Sequence, residues 1–409
     1  MSPKSLPAMR NVEVVPFEHE GERLVCMTDP EGIIDGQLVL SQLAFFVASL
    51  LDGESSVSDI QRTAKELFDG HVIKEQDIRR VVQYLDESGF LVTENYLTIR
   101  QAVIDAYVSA DARPAHLAGK TYPDAAEELR EYFDALFDGR WKTAGKDSVD
   151  APPLRCLIVP HIDYERGAEA YATAYRLLRQ TPAPTTVLVF GVAHMGPPVP
   201  FTLTRKHFET PLGTLKTDSA AVDRLAAACS WDPFEYELIH RTEHSIELQA
   251  VLLAHLLGPD VKLVPVLCGD FEGENERGHA PIDAKVDRFL DECRKLVAES
   301  EGRTLVIAGA DLAHVGRRFG DDFEIDEDVI RSIEKRDRED LAHVTSLDPQ
   351  GFYQSVMKDV NARRVCGLNC IYSALHAVAG IASTSELAYY GSAPDPAGGI
   401  VSFADVVLH

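Results

Sequence analysis

Apolar runs in the second half of the chain lead into side chains that bind metals or move protons. Three runs, at residues 157–160, 187–191 and 305–309, are rich in β-branched residues and end in glycine or proline. This pattern is typical of buried strands that open into loops. The side chains that follow these runs and the short pair Arg364-Val365 are His161, His194, Asp311 with His314, and Cys366. Ligands in open α/β sheets bind beyond the carboxyl ends of strands, so we expect these groups to converge.

Helical periodicity alternates with these runs from residue 113 onward, which predicts an α/β domain over residues 113–409 with a central sheet. Glu272–Gly278 is predicted to be a surface loop, because it is rich in glycine and charge. The helices are predicted at 122–137, 166–179, 218–229, 244–257, 282–299, 326–342, 349–358 and 367–379.

Residues 1–95 have a different pattern and predict a small, mostly helical domain that resembles a winged helix. Three helices are followed by a short strand near 89–92, and residues 96–112 are predicted to form a linking helix. The third helix mixes two arginines with four acidic residues, so nucleic-acid binding is not expected. The three helices are predicted at 38–51, from Ser58 or Asp59 to about Phe68, and from Glu75 to Glu87.

Composition narrows the function classes further. The 409 residues carry a formal net charge of −25, which disfavours binding to nucleic acids or anionic membranes. The seven cysteines are odd in number and scattered, as expected of free thiols in a reducing compartment. No apolar run approaches the roughly 18–20 residues of a membrane span, and residues 1–25 contain no signal-peptide core. We therefore expect a cytoplasmic protein.

Two histidines and one cysteine are the candidate metal ligands. His161 and His194 occupy equivalent positions after two consecutive strands, and imidazole is the commonest metal ligand. A single histidine in such a loop is more often structural, but the repeated arrangement weakens that interpretation. Cys366 opens a helix, where the helix dipole favours the thiolate. Cys370, one turn further on, is predicted to pack in the core.

Further candidates for acid–base work lie beside these ligands. Glu243, His244 and Glu247 begin an apolar helix, and Asp311 and His314 follow a strand. These groups could orient a metal-bound imidazole or act as acid and base. The simpler alternatives are a helix cap for the first group and a turn-stabilising carboxylate for the second.

Residues 113–409 resemble the Memo family, whose prokaryotic members are called AmmeMemoRadiSam system protein B. The resemblance extends over nearly 300 residues in a constant order. The matching segments are Ala118-Gly119 with Tyr122-Pro123, Pro160-His161 with Tyr164, Gly191 with His194 and Pro197, Thr210-Pro211-Leu212-Gly213 with Asp218, Glu243-His244-Ser245-Ile246-Glu247, Val264-Pro265-Val266-Leu267, Asp311 with His314 and Gly316, Cys366-Gly367, and Val401-Ser402-Phe403.

This resemblance implies the three-layer α/β/α fold of the class III extradiol (LigB-like) dioxygenases, with a central mixed sheet. It implies metal ligands at His161, His194 and Cys366, with His244, Asp311 and His314 in the same cleft. The related dioxygenases hold Fe(II) with two histidines and a carboxylate. A cysteine in the carboxylate's place makes Cu and Zn competitors of iron.

The resemblance also implies partners, namely a radical-SAM protein and an AMMECR-type protein. Residues 25–95 resemble the PqqD-like domains, which bind peptides. The chain departs from better-known animal members at Ile162-Asp163, Met195 and Thr242, so substrate identity does not transfer.

Three functions stay open at this point. The first is a metal-dependent redox enzyme, in which His244 or His314 moves protons and Asp311 orients one of them. The second is a non-catalytic protein that binds a peptide or phosphorylated partner in a vestigial site. The third is zinc-dependent hydrolysis with Glu243 or His314 as the base.

Overall fold

The computed structural model describes residues 5–68, 72–137, 153–271 and 284–409. Two compact units are present, Met1–Ala110 and Asp111–His409. The loop predicted at Glu272–Gly278 lies outside the described residues.

In its described residues, the first unit combines a small antiparallel sheet, in the order β1-β2-β3, with four helices. The sequence prediction contained none of the three strands. The elements are β1 (Glu13–His19), β2 (Glu22–Thr28), β3 (Gln37–Ser41), α1 (Gln42–Ser49), α2 (Val57–Leu67), α3 (Glu75–Glu87) and α4 (Glu94–Ser109).

The segment predicted as one buried helix at 38–51 is instead a strand followed by a helix. Exposed and buried residues alternate along Gln37–Ser41, which is the period of a strand with one covered face. Ser41 then accepts a hydrogen bond from the Ala44 N–H and caps the helix that follows. The short strand predicted near 89–92 is represented by a single antiparallel bridge between Met9 and Leu91.

The second unit is an α/β structure with a large sheet, as the sequence predicted. Its strands are β4 (Ala112–Arg113), β5 (Cys156–Val159), β6 (Thr186–Val192), β7 (Phe201–Leu203), β8 (His207–Phe208), β9 (Lys262–Cys268), β10 (Thr304–Gly309), β11 (His314–Val315), β12 (Ser385–Asp395) and β13 (Gly399–Leu408). Its helices are α5 (Ala126–Leu136), α6 (Ala168–Arg179), α7 (Ser219–Ala226), α8 (His244–Leu257), α9 (Ala284–Glu299), α10 (Glu327–Thr345), α11 (Pro349–Met357) and α12 (Leu368–Ala377). Each helix predicted from periodicity overlaps one of these eight.

The large sheet follows the order β11-β13-β5-β10-β6-β9-β7, with β12 paired to β13. Strands β5, β10, β6 and β9 are parallel, whereas β13 and β7 run antiparallel to their neighbours, so the sheet is mixed. In register, Gly309 pairs with Val159 on one side and with Gly191 on the other. The three strands therefore end at the same level, and the loops that follow them meet at one edge.

Helices cover both faces of this sheet. Cys156 and Ile158 of β5 pack with residues of α7, α9, α11 and α12, while Leu157 and Val159 pack with residues of α5, α6 and α8. Neighbouring residues of a strand point to opposite faces, so this alternation defines three layers. Within the described residues, no helix is both long enough and apolar enough to span a bilayer.

Candidate metal centre

His161 lies in the loop after β5 and is buried at the sheet edge. Its ring Nδ1 is 2.9 Å from the carbonyl oxygen of Gly309, the last residue of β10. A carbonyl only accepts hydrogen bonds, so Nδ1 carries the proton and Nε2 is left with a lone pair. That Nε2 is 3.5 Å from the Cys366 Sγ. The backbone of β10 thus sets the tautomer that a metal ligand requires.

Asp311, in the loop after β10, fixes the loop that carries His161. Its Oδ1 accepts hydrogen bonds from the backbone N–H groups of His161, at 3.0 Å, and Ile162, at 3.3 Å. Its Oδ2 lies 3.6 Å from the His161 Nε2. The carboxylate therefore positions the first candidate ligand and presents its second oxygen to the same ring nitrogen as Cys366.

His194, in the loop after β6, is held by Glu243. The ring Nδ1 is 2.9 Å from Glu243 Oε1, and the His194 backbone N–H donates to Oε2 at 3.0 Å. Glu243 is also the N-cap of α8, because Oε1 accepts from the N–H groups of His244 and Ser245. The simpler interpretation as a helix cap is confirmed, and the same carboxylate also holds the His194 ring.

Cys366 reaches the site because α12 begins directly against the loop after β10. The Gly367 N–H donates to the Asp311 carbonyl oxygen at 3.0 Å, and the Cys366 Sγ is 3.7 Å from the same oxygen. A Cβ at Gly367 would lie 2.5 Å from that oxygen and 2.6 Å from the Ala310 Cβ. Only glycine allows the helix to start this close.

We expect Gly367→Ala to move α12 away from the loop and to lower the free energy of unfolding by about 1–3 kcal/mol, as overpacking does. The displacement would also separate Cys366 from His161. Urea unfolding and the metal content of the purified variant measure the two effects. If the variant has wild-type stability and wild-type metal content, the backbone accommodates the alanine Cβ without cost and this prediction is wrong.

The candidate ligand atoms of His161, His194 and Cys366 all lie within 4.8 Å of one another. A second set, formed by His194, Glu243 and His244, meets the same distance. In that set the Glu243 oxygens already accept hydrogen bonds from His194 and from the start of α8. In the first set, Gly309 and Glu243 contact only the Nδ1 atoms of the two imidazoles, which leaves the Nε2 atoms and the thiol to bind a metal. The first set is therefore the better metal site.

His244 joins the site, whereas His314 is set beside it. The His244 ring stacks on His194 with centroids 4.7 Å apart and meets His161 at 5.3 Å. The His314 ring is directed by other contacts, a 3.1 Å distance from its Nδ1 to the Leu312 carbonyl oxygen and an edge-to-face contact with Phe319. His314 belongs to neither set of clustered ligand atoms in the described part of the chain.

Burial dominates the electrostatics of the cluster. It lowers the pKa of His161, and it lowers the pKa of His244 to about 4, to which His194 and His161 also contribute. For His194 burial acts in the same direction, but the Glu243 carboxylate outweighs it and raises the pKa. Burial, reinforced by Asp311, raises the pKa of the Cys366 thiol well above its ordinary value. The lowered pKa values favour neutral His161 and His244, and a coordinated cation would displace the proton from His194 and from the Cys366 thiol.

Sequence reasoning missed two features of this region. The Gly309 carbonyl that orients His161 is a backbone group, for which a side-chain pattern carries no signal. Glu247, suggested as an acid in the cleft, is instead buried in an ion pair with Arg113 and accepts a hydrogen bond from the Tyr122 hydroxyl. Glu247 lies one turn after the capping Glu243, so the sequence placed it on the correct helix. Its partner Arg113 is 134 residues away in the chain, and the local sequence pattern does not indicate it.

The fold and the cluster define a three-layer α/β protein with a His-His-Cys set at the carboxyl edge of its sheet. The family model described as Memo-like protein matches residues 113–404, and the chain belongs to the Memo family. A MEMO1 family protein of Aquifex aeolicus is 28% identical over 409 residues, which cover 98% of this chain and 100% of that protein. Another, from Thermus thermophilus, is 27% identical over 325 residues, covering 77% of this chain and 89% of the relative.

A MEMO1 family protein of Methanopyrus kandleri is 27% identical over 305 residues. That match covers 98% of the archaeal protein but only 72% of this chain, whereas the Aquifex match spans both units. The Aquifex match thus includes the first unit, whereas the Methanopyrus match leaves more than a quarter of this chain uncovered.

Proposed function

We propose that this protein is a metal-dependent redox enzyme whose cleft holds Fe(II) or Cu through His161, His194 and Cys366. The observation that carries the proposal is the convergence of these three ligand atoms, from three separate loops, within 4.8 Å. Both imidazole Nδ1 atoms already have acceptors, Gly309 and Glu243, so the Nε2 atoms are available. Such outer hydrogen bonds are the usual support of metal-binding histidines.

The donor set favours a transition metal over Mg²⁺ or Ca²⁺, because thiolate and imidazole are softer ligands than oxygen. Two histidines with the nearby Asp311 carboxylate suit Fe(II), while the Cys366 thiolate favours copper or zinc. When bound, iron or copper supplies one-electron redox chemistry.

The chain's own residues have separate tasks in this proposal. Asp311 fixes the His161 loop, and Glu243 fixes His194 through the ring and the backbone. The His244 Nδ1 is 3.3 Å from Glu243 Oε1. The His244 Nε2 is therefore left to accept a proton from the molecule that enters the cleft. We propose a small molecule or a peptide as that ligand; the radical-SAM and AMMECR-type partners stay predictions.

Metal content tests the proposal directly. Protein purified without oxygen is expected to carry stoichiometric Fe or Cu by mass spectrometry. His161→Ala and Cys366→Ser should lose most of that metal while thermal unfolding stays cooperative. Matched controls are His343→Ala, a half-buried histidine paired with Asp348, and Cys26→Ser in the first unit; both should keep wild-type metal.

Each of the other possible results supports a different conclusion about the site. Full metal in both site variants would show that the ligand assignment is wrong. Zinc that is lost from the site variants would favour hydrolysis with Glu243 or His314 as the base. No metal in any protein, even after reconstitution, would favour the non-catalytic peptide-binding alternative.

A further inference from the structure

The first turn of α12 spans three neighbouring strand ends. On one side, the Gly367 N–H is bonded to the Asp311 carbonyl oxygen, just after β10. On the other side, the Asn369 Nδ2 donates to the Gly269 carbonyl oxygen at 2.7 Å, just after β9. Strand β6, which leads to His194, lies between β10 and β9 in the sheet. Cys366 and Asn369 therefore flank the end of the strand that delivers His194.

The loop of His194 is attached to the same place. The Ala193 N–H donates to the Cys268 carbonyl oxygen at 3.0 Å, one residue before the carbonyl that Asn369 uses. Asn369 and His194 are thus both anchored to the end of β9. Asn369 follows the candidate ligand Cys366 by three residues, and its side chain is bonded at the strand end next to the one that leads to His194.

One atom of Asn369 has no partner. The Oδ1 is buried, and no described residue donates a hydrogen bond to it. The orientation of the amide is fixed, because the Gly269 carbonyl can only accept and must face the Nδ2 group. Buried side-chain acceptors are nearly always satisfied, so an unpaired acceptor three residues after a candidate ligand indicates a missing donor.

We propose that Asn369 is a ligand-positioning residue, whose Oδ1 accepts a hydrogen bond from an O–H or N–H group of the molecule bound at the metal centre. This inference rests on the proposed function. The ligand class is a neutral or cationic molecule with a protic group, such as an alcohol, a phenol or an amine. Asp311 and Glu243 place two carboxylates beside the same cleft, which disfavours anions.

Imidazole and 1-methylimidazole are the probes, because both bind metals through one nitrogen and only imidazole keeps an N–H. Their affinities are measured by the visible spectrum of the full chain loaded with Co(II). The variants are Asn369→Leu and Asn369→Ala, which differ in size but both lack the acceptor. The methyl group of 1-methylimidazole is present whether the protein is wild type or variant, so its own effect on affinity cancels. The change in the affinity ratio of the two probes between wild type and variant therefore isolates the hydrogen bond.

We expect the preference for imidazole over 1-methylimidazole to fall about fivefold in both variants, as for loss of one neutral hydrogen bond. Cobalt content and cooperative unfolding should stay at wild-type values. An unchanged ratio with stoichiometric cobalt would overturn this inference alone, and so would a wild-type protein that binds cobalt but neither probe. If the wild type binds no cobalt, iron or copper, the proposed metal centre fails and this inference fails with it.

Discussion

Replacing Glu247 with glutamine is expected to lower the free energy of unfolding by about 3–5 kcal/mol, the range for breaking a buried ion pair. Glu247 and its partner Arg113 are each 1% exposed. The carboxylate also accepts hydrogen bonds from the backbone N–H groups of His116, at 3.0 Å, and Leu117, at 2.8 Å, and from the Tyr122 hydroxyl, at 2.6 Å. Glutamine keeps one acceptor, turns an N–H₂ group toward these donors and leaves Arg113 without its counter-charge.

Denaturant unfolding of the variant beside wild type measures this loss. Glu299→Gln is the matched control, because Glu299 also pairs with an arginine, Arg224, but at the exposed surface, where ion pairs contribute little. The double variant Arg113→Met with Glu247→Met should recover part of the loss, because no uncompensated charge remains. A Glu247→Gln protein as stable as the Glu299→Gln control would show that the pair is not needed.

The same contacts predict a loss of stability in acid. Burial alone would raise the pKa of Glu247, but Arg113, Tyr122 and the Leu117 N–H outweigh it and lower the pKa. A carboxylate with a lowered pKa in the folded state stabilises the protein above its unfolded pKa. That contribution disappears as the pH falls through the folded value, so the wild type should lose it in acid and Glu247→Gln should not.

The predicted ends of the strands were enough to locate most of the candidate site from sequence. Apolar runs that end in Gly or Pro mark where β5, β6 and β10 stop, and parallel pairing then brings His161, His194 and Asp311 to one edge. This works because a buried parallel strand needs a continuous apolar run, so its end is visible in the chain. The helix positions could also be predicted from sequence, and the helix predicted at 244–257 matches α8 at both ends.

What the sequence did not reveal depends on contacts between distant residues. Glu243 could be assigned as a helix cap from its position, but its bond to His194 needs β6 and α8 to be adjacent. The partner of Glu247 and the missing donor at Asn369 are likewise properties of the assembled fold. In the first unit, the apolar residues of Gln37–Ser41 were assigned to a helix, because β3 and α1 follow one another without a break.

Asp405→Asn is expected to stabilise the protein at neutral pH by roughly 1–3 kcal/mol, because the amide does not have to take up a proton on folding, which costs about 1.4 kcal/mol per unit of pKa shift. Asp405 lies on β13, is completely buried, and neither carboxyl oxygen has a partner among the described residues. The hydroxyls of Tyr171 and Tyr175 in α6 are bonded elsewhere, to the Ile162 carbonyl and to Gln249. Burial therefore raises the pKa of Asp405 well above its ordinary value.

The direction of the pH dependence follows from that shift. An acid with a raised pKa in the folded state contributes its stability fully below the unfolded pKa and loses it as the pH rises toward the folded value. The difference in the free energy of unfolding between Asp405→Asn and wild type should therefore be small near pH 4 and increase toward pH 8. Thermal and urea unfolding at several pH values measure this difference.

Asp337→Asn is the matched control, because Asp337 is an equally buried aspartate whose oxygens do have partners. Arg363 and Ser402 donate to it, and the Tyr390 hydroxyl donates at 3.0 Å. Burial raises the pKa of Asp337 to about 6, yet the substitution takes away one of the two carboxylate partners of Arg363, the other being Asp340. This variant should therefore be less stable than wild type at neutral pH. If both variants are destabilised equally at every pH, Asp405 has a partner in solution and the prediction is wrong.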